Sequence, residues 1–507
     1  MVRNVLEYLE ATAEKLPQKT LISDTECKAS FSETVSTAQA IGSYLIGCGV
    51  KRKSPVVVFI DRTVKNVISY MGVVYAGCFY VPIDVTFPEE RIKTILSTVN
   101  PEYIIADETS VSISDKLGYG DITCLYSEAS VCKIDSDKLN EVRTLFTDTD
   151  PLYCVFTSGS TGVPKGVLAS HRCVIDFVEQ FTDSFSITED DVFGNQAPLD
   201  FDAFVKDFYS SIKVGSSVVI IPKKLFSFPD ELIDFLNEHK ITNLVWVVSA
   251  LCLVSATDIF EIKKPKYLKK ILFSGEIMPI KHLNIWRKYL PDVMYVNLYG
   301  PTETTCNCTY YIVDRPFDVT EALPIGKPFG NTEILLLDEN MKCPPIGKEG
   351  EVYVRGTCLT LGYYNNPEAM KSAFVLNPIN PAYPEIVYKT GDLAYYNADG
   401  LLMYSSRKDH QVKYMGHRIE LGEIELAVNA IDRISSCCCV FDKVNNRLAL
   451  IYVGKDIKGR EILSVLRKAL PKFMIPTKLV SLDVMPKNKN AKIDRSLILK
   501  MVENDEI

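Results

Sequence analysis

The sequence predicts an α/β protein with three parts. These are a large N-terminal body with several layers and parallel-rich sheets, a small antiparallel β unit late in that body, and a small α+β domain at the C-terminus. Three observations carry this reading. Short β-branched runs alternate with amphipathic helical stretches over most of the 507 residues, the pattern of stacked βαβ units. From about 340 to 400 the chain is instead crowded with turns. Beyond that, helix and strand return with a change of charge: residues 408–507 hold 18 Lys and Arg against 13 Asp and Glu, although the whole chain carries −8.

Taken in order, the opening MVRNVLEYLEATAEKLPQ has acids and apolar residues at helical spacing. SPVVVFI (54–60) reads as a strand, NVISYMGVVYAG as a helix and PEYIIAD (101–107) as a strand. SSVVIIP (216–222), the helical FPDELIDFLNEHK, ITNLVWVV (241–248) and LKKILFSG continue the alternation. The segments CPPIGKEGEVYVRG, GYYNNPEA, NPINPAYPE, YKTGD and NADG space short β segments with turns. The domains are placed at 1–407 and 408–507, with a hinge near Asp409. In ISSCCCVF, Cys437, Cys438 and Cys439 read as buried strand residues.

Composition excludes several classes. Apolar residues make up 47% and charged residues 24%, enough to build a large core rather than a disordered chain. Net negative charge argues against a nucleic-acid partner. No run approaches about 18 apolar residues, so no membrane insertion is expected. The first residues also lack the apolar centre of a signal peptide, which points to a cytoplasmic protein. The 15 cysteines are scattered and show no C-x-x-C spacing. The five histidines form neither H-E-x-x-H nor a triad-like grouping, which disfavours zinc and Ser–His–Asp chemistry.

Residues 153–168 are the most informative. An apolar strand runs into Thr157-Ser158-Gly159-Ser160-Thr161-Gly162, followed by Pro164-Lys165-Gly166. Glycines allow close backbone approach, and hydroxyls, N–H groups and Lys165 together suit a polyphosphate. The spacing is not that of a Walker A loop.

TSGSTGVPKGV resembles the phosphate loop of the adenylate-forming superfamily, which includes nonribosomal peptide adenylation domains, acyl-CoA synthetases and luciferases. Other matches follow in family order: YVPIDVTFPEERI (80–92), Asn297-Leu298-Tyr299-Gly300-Pro301-Thr302-Glu303-Thr304, Gly350–Gly356, Tyr388–Leu393, Ser406–Lys413 with GHRIELGEIE, LPKFMIP, and Asn490–Arg495. The resemblance implies a C-terminal domain that is mobile about Asp409. It implies ATP and Mg²⁺ as cofactors, with Thr157, Ser158, Gly159, Ser160, Thr161, Gly162, Lys165, Asn297, Tyr299, Thr302, Asp392 and Arg407 binding the nucleotide. Glu303 is the implied metal ligand and catalytic carboxylate, and Lys492 the implied catalytic lysine. The family usually has Gly where Ala491 stands. The chemistry fits these residue types: a carboxylate attacking a phosphate must be relieved of like-charge repulsion of roughly 4 kcal/mol per pair near a protein surface. Cations must therefore converge on the reacting centre.

The same resemblance places Asp202 opposite a substrate α-ammonium, which favours amino acids over fatty or aryl acids. It places Ala203, Lys206, Ser249, Ser274, Leu298, Cys306 and Asn307 in the side-chain pocket. Lys206 has two readings: a helical partner for Asp202 four residues earlier, or a pocket base for an acidic side chain. FVKDFY, LFSGEIMP and the length also resemble the D-alanine–carrier-protein ligases, and D-alanine is the leading substrate expectation. The residues at Lys206 and Ser274 depart from that subgroup. The chain ends 15 residues past Lys492, so a carrier protein acting in trans is the expected acceptor. The other readings are a peptide natural-product adenylation enzyme for another amino acid, an acyl-CoA synthetase, and a silent nucleotide-binding regulator.

Overall fold

The β-branched runs of the body form the buried centres of two sheets, because a strand covered on both faces must be apolar at every position. Val56, Val57 and Val58, for example, are fully buried. The computed structural model describes residues 2–159, 163–409, 411–487 and 493–507. The chain divides into two units: Met1–Val85, Val99–Val155 and Gly166–Lys408 form the first, and Thr86–Thr98, Phe156–Lys165 and Asp409–Ile507 the second.

One sheet has seven strands, in the order Gly362–Tyr364, Lys165–Ser170, Pro151–Thr157, Phe79–Pro82, Pro55–Phe59, Tyr103–Ala106 and Thr123–Leu125. Its centre is parallel, with Pro55–Phe59 paired to both Phe79–Pro82 and Tyr103–Ala106. The other has nine, in the order Lys327–Pro328, Thr309–Ile312, Met294–Tyr299, Lys270–Ser274, Asn243–Val247, Val192–Asn195, Ser217–Ile220, Thr20–Ser23 and Lys28–Ser30. Lys270–Ser274 lies parallel between Asn243–Val247 and Met294–Tyr299, whereas the outer Thr309–Ile312 is antiparallel. Both sheets have helices packed on them, and Phe177, Phe181, Phe185, Phe193 and Phe208 fill one common core.

The turn-rich region forms the expected antiparallel unit. Thr332–Leu337, Gly350–Gly356, Ile386–Tyr396 and Phe374–Leu376 pair in that order, and Leu402–Arg407 pairs with Ile386–Tyr396. Register in the last pair sets Asp392 opposite Arg407.

The second unit is α+β. Gln411–Tyr414 and His417–Glu420 form a hairpin, followed by helix Leu421–Asn429. Ile434–Asp442 runs antiparallel to Arg447–Gly454, which pairs in parallel with Lys478–Ser481. Successive side chains on a strand face opposite ways, and the triple cysteine shows it. Cys437 and Cys439 pack with Ile424, Val428, Ile462 and Leu466, and Cys438 packs with Ile498 and Val502. All three are buried. Among the described residues no helix is long and apolar enough to cross a membrane.

Candidate functional site

In the first unit, strand Met294–Tyr299 and the turn after it organise a group of candidate residues. Alternation sends Asn297 and Tyr299 to one face and Leu298 to the other, where Leu298 joins the same core cluster as Cys306. The Asn297 amide nitrogen donates to the Pro324 carbonyl at 2.8 Å. That contact fixes the side chain with Oδ1 as the atom suited to accept from an amino group. Asp392 is buried and held at both oxygens: Tyr299 Oη donates to Oδ2 at 2.6 Å and Arg407 Nη1 to Oδ1 at 2.7 Å. Arg407 also reaches the Thr390 carbonyl, and the Thr390 hydroxyl accepts from the Asp392 amide. Burial, reinforced by Asp392, pushes the Tyr299 hydroxyl well above its ordinary range, so it remains a donor. A carboxylate offers about four acceptor positions. Two are used here among the described residues, and the chemistry suits a vicinal diol.

Glu303 lies in the single 3-10 turn Thr302–Thr304 and is buried. Tyr363 Oη donates to its Oε1 at 2.6 Å, and its backbone carbonyl accepts from the Thr360 amide. Among the described residues no three His, Cys, Asp or Glu side chains group as a metal cage. One buried hard carboxylate fits Mg²⁺, which takes one or two protein carboxylates and completes its shell with phosphate and water.

The chain then reverses through two consecutive left-handed residues, Thr305 (φ 54°) and Cys306 (φ 70°). Such backbone costs about 1–3 kcal/mol per residue and persists only where the surroundings impose it. Here the Thr305 hydroxyl donates to the Cys358 carbonyl at 2.7 Å, and the Cys308 amide donates back to the Tyr299 carbonyl at 2.8 Å. Gly300 makes the reversal possible, since a Cβ there would stand 2.5 Å from Asn307 Cα.

That reversal brings Asn307 to the pocket. Lys206, buried on helix Phe204–Val214, donates from Nζ to Asn307 Oδ1 at 3.2 Å and to Ser274 Oγ at 3.1 Å. Asp202 and Ala203 are buried and precede the first helical residue, so Asp202 and Lys206 are not an i,i+4 pair within the helix. The Asp202 carbonyl accepts from Cys306 Sγ at 3.0 Å. Ser249 is the second residue of helix Val248–Ser255 and is half-buried, its amide donating to Glu276 Oε2 at 2.8 Å. Thus Lys206, Ser274 and Asn307 are linked by direct hydrogen bonds, and Cys306 is tied separately to the Asp202 backbone. Ser249 is tied to Glu276 instead.

In the second unit, Thr157 and Ser158 are buried and Ser158 Oγ donates to the Arg418 carbonyl at 2.6 Å. Gly159 lies where a Cβ would meet the Val163 carbonyl at 1.9 Å, so this position has no room for a side chain. Lys165 begins strand Lys165–Ser170. Asp409 Oδ1 accepts from the Gln411 amide. Ser160, Thr161, Gly162 and Lys492 lie outside the described residues. Tyr363, Thr390 and Pro324 were not singled out by sequence reasoning. Only the turn-rich GYYNNPEA pointed near Tyr363, and nothing in spacing linked it to Glu303.

The AMP-binding enzyme family model matches residues 9–364. Tyrocidine synthase 1 of Brevibacillus parabrevis is 30% identical over 98% of this chain and 45% of its own length. Bacitracin synthase 1 of Bacillus licheniformis is 34% identical over 97% of this chain and 9% of its own. The chain thus spans less than half the length of these curated relatives. Among solved structures, IdnL1 superposes with a TM-score of 0.81 at 25% identity, covering 96% of this chain and 98% of that one. Holo-PA1221, an NRPS protein containing adenylation and PCP domains, superposes with a TM-score of 0.83 at 23% identity, over 98% and 84%.

Proposed function

The chain belongs to the AMP-binding enzyme family, and on that footing we propose that it activates an amino acid as its adenylate and passes it to a carrier-protein thiol. The amino-acid carboxylate attacks the α-phosphorus of ATP, giving aminoacyl-AMP and releasing pyrophosphate. The phosphopantetheine thiol then attacks the acyl carbon, giving the thioester and releasing AMP. One observation carries the reading: residues 297–307 form a single strand and turn that presents Asn297 and the Tyr299–Asp392 pair at one end and the Lys206 acceptor Asn307 at the other. A nucleotide reader and a polar pocket are thereby built on one rigid piece of chain, as joining the two substrates requires.

In this reading Asn297 orients the adenine and Asp392 holds the ribose, with Arg407 and Tyr299 fixing the carboxylate. Glu303 would hold Mg²⁺, which when bound supplies positive charge against the phosphates. Thr157, Ser158, Gly159 and Lys165 serve the phosphates, together with Ser160, Thr161 and Gly162, while Lys492 stabilises the developing charge. The segment from 408 turns about Asp409 between the half-reactions. Asp202 receives the α-ammonium. The two oxygens around the buried Lys206 ammonium favour a substrate side chain bearing a carboxylate over the methyl of D-alanine, since both of its hydrogen-bond partners there are neutral and a methyl would add no anion to them. Amino-acid-dependent exchange of pyrophosphate into ATP over a panel of L- and D-amino acids tests the activation step. Aspartate or glutamate should give the strongest signal, and D-alanine dominance would restore the simpler substrate. Product formation on a carrier protein against free coenzyme A tests the acceptor.

A further inference from the structure

Helix Phe204–Val214 buries a second charge directly after the pocket lysine. Asp207 is almost wholly enclosed. Its Oδ2 accepts from Asn195 Nδ2 at 2.8 Å, while Oδ1 has no hydrogen-bond partner among the described residues. Asn195, at the end of strand Val192–Asn195, cannot turn over. Its Oδ1 accepts from Arg62 Nη2 at 2.5 Å, and Arg62 also holds the backbone carbonyls of Asn195, Ala197 and Ile221. Arg62, Asn195 and Asp207 therefore form a relay that holds a buried carboxylate one residue after the buried Lys206 on the same helix. Nothing in the proposed reaction uses it. Leaving a buried carboxylate oxygen unpaired is expensive, so the charge needs a reason to be there.

Among the described residues, the charged groups that act on Asp207 are Lys206 and Arg62. Arg62 stands beyond the asparagine and Lys206 precedes it on the helix, and each favours its ionised form. Cys306, from the turn, shares the field of Asp207, Lys206 and Asp202, and burial pushes its thiol so high that it stays neutral. Burial pushes the Asp207 carboxyl up to about 7, the Asn195 amide, Lys206 and Arg62 offsetting part of that rise. A carboxyl so placed changes charge close to neutral pH.

We propose that Asp207, set by Asn195 and Arg62, is a specificity-determining positioning residue: it is the built-in countercharge of Lys206 and competes with an anionic substrate side chain for that ammonium. The inference rests on the amino-acid-activating reading above. When Asp207 is neutral, Lys206 attracts a side-chain carboxylate fully. When Asp207 is ionised, the attraction is shared and the acidic substrate binds more weakly. The sign follows: the KM for an acidic amino acid rises as pH climbs through about 7, and the KM for its amide does not.

The test is pyrophosphate exchange with aspartate against asparagine and glutamate against glutamine, from pH 6 to 8, on wild type and Asp207→Asn. In wild type the preference for the acid over its amide should fall about three- to tenfold across the range, tenfold corresponding to about 1.4 kcal/mol. Asp207→Asn should raise that preference at pH 8 and flatten its pH profile. A folded variant with unchanged preference, or a wild-type preference flat in pH, overturns the proposal. A variant that fails to fold leaves the wild-type profile to decide. Exchange with neutral amino acids alone removes the anionic partner of Lys206 and overturns the inference while activation stands. No exchange with any amino acid overturns the activation reading itself.

Discussion

A buried carboxylate keeps its charge only where donors replace the water it has lost, and at Glu303 the Tyr363 hydroxyl is such a donor. Hydrogen bonds to charged groups contribute about 1.5–3 kcal/mol. Tyr363→Phe keeps the ring, which packs edge-on to Phe374, and removes only the hydroxyl. In this variant kcat/KM for ATP should drop about tenfold, since about 1.4 kcal/mol is one decade, with added Mg²⁺ recovering part of the loss. Exchange rates measured against ATP and Mg²⁺ in turn provide the check, and an unaltered kcat/KM would separate Tyr363 from the function of Glu303. The contrast with Asp392 is instructive at the same scale. Asp392 is pinned by residues that the motifs already singled out, Tyr299 and Arg407. Glu303 leans on a tyrosine 60 positions away that no local pattern names.

Among the elements, the turn from Gly300 to Asn307 does more than its length suggests. Two left-handed non-glycine residues in succession persist because hydrogen bonds from both sides fix them, and Gly300 gives the room. In Gly300→Ala the new methyl would meet backbone at Asn307 and Cys308, which cannot swing aside as a side chain would. The turn must shift, carrying Asn307 away from Lys206. Overpacking of this kind costs about 1–3 kcal/mol. A lower melting temperature is expected together with a loss of amino-acid discrimination larger than the loss of ATP affinity. Equal loss of both would mean that the turn serves the fold alone. This turn also marks how far sequence reading goes. Apolar runs disclosed the parallel strands because double burial demands them, and a change in turn density disclosed the antiparallel sheet. The motif residues 297–304 and the pocket candidates Cys306 and Asn307 were visible as letters. Their left-handed path was not, because neither Thr305 nor Cys306 is a residue type that advertises positive φ. The relay of Arg62, Asn195 and Asp207 was hidden for another reason: it joins a loop, a strand end and a helix 133 and 12 positions apart, and long-range polar pairing leaves no periodicity.

For the first unit as a whole, stability hangs on a core that gathers residues from Val5 to Tyr388, and one titratable group sits inside its packing. His171 is fully buried. Its Nδ1 accepts from the Val5 amide at 3.3 Å, Nε2 has no partner among the described residues, and the Phe146 ring packs edge-on at 5.5 Å. Burial pushes the imidazole down to about 3, with Asp150 opposing and Arg143 adding to the depression. Its place at the start of helix His171–Ser184 disfavours a positive charge in the same direction. The unfolded chain protonates this histidine near pH 6.5. Between about 6.5 and 3 the unfolded state therefore holds one more proton than the native state, and stability falls as pH falls. The slope from this group is about 1.4 kcal/mol per pH unit, so lowering pH from 6.5 to 5 removes about 2 kcal/mol of a total expected near 5–15 kcal/mol. His171→Gln retains an acceptor for Val5 and cannot take up that proton. Denaturant unfolding at pH 7, 6 and 5 should show the variant less stable than wild type at pH 7 but with a shallower decline, the two curves converging toward pH 5. Parallel curves would mean that the native state accepts the proton at His171 without penalty, and that the amino-terminal helix is not held as Val5 and His171 hold it here.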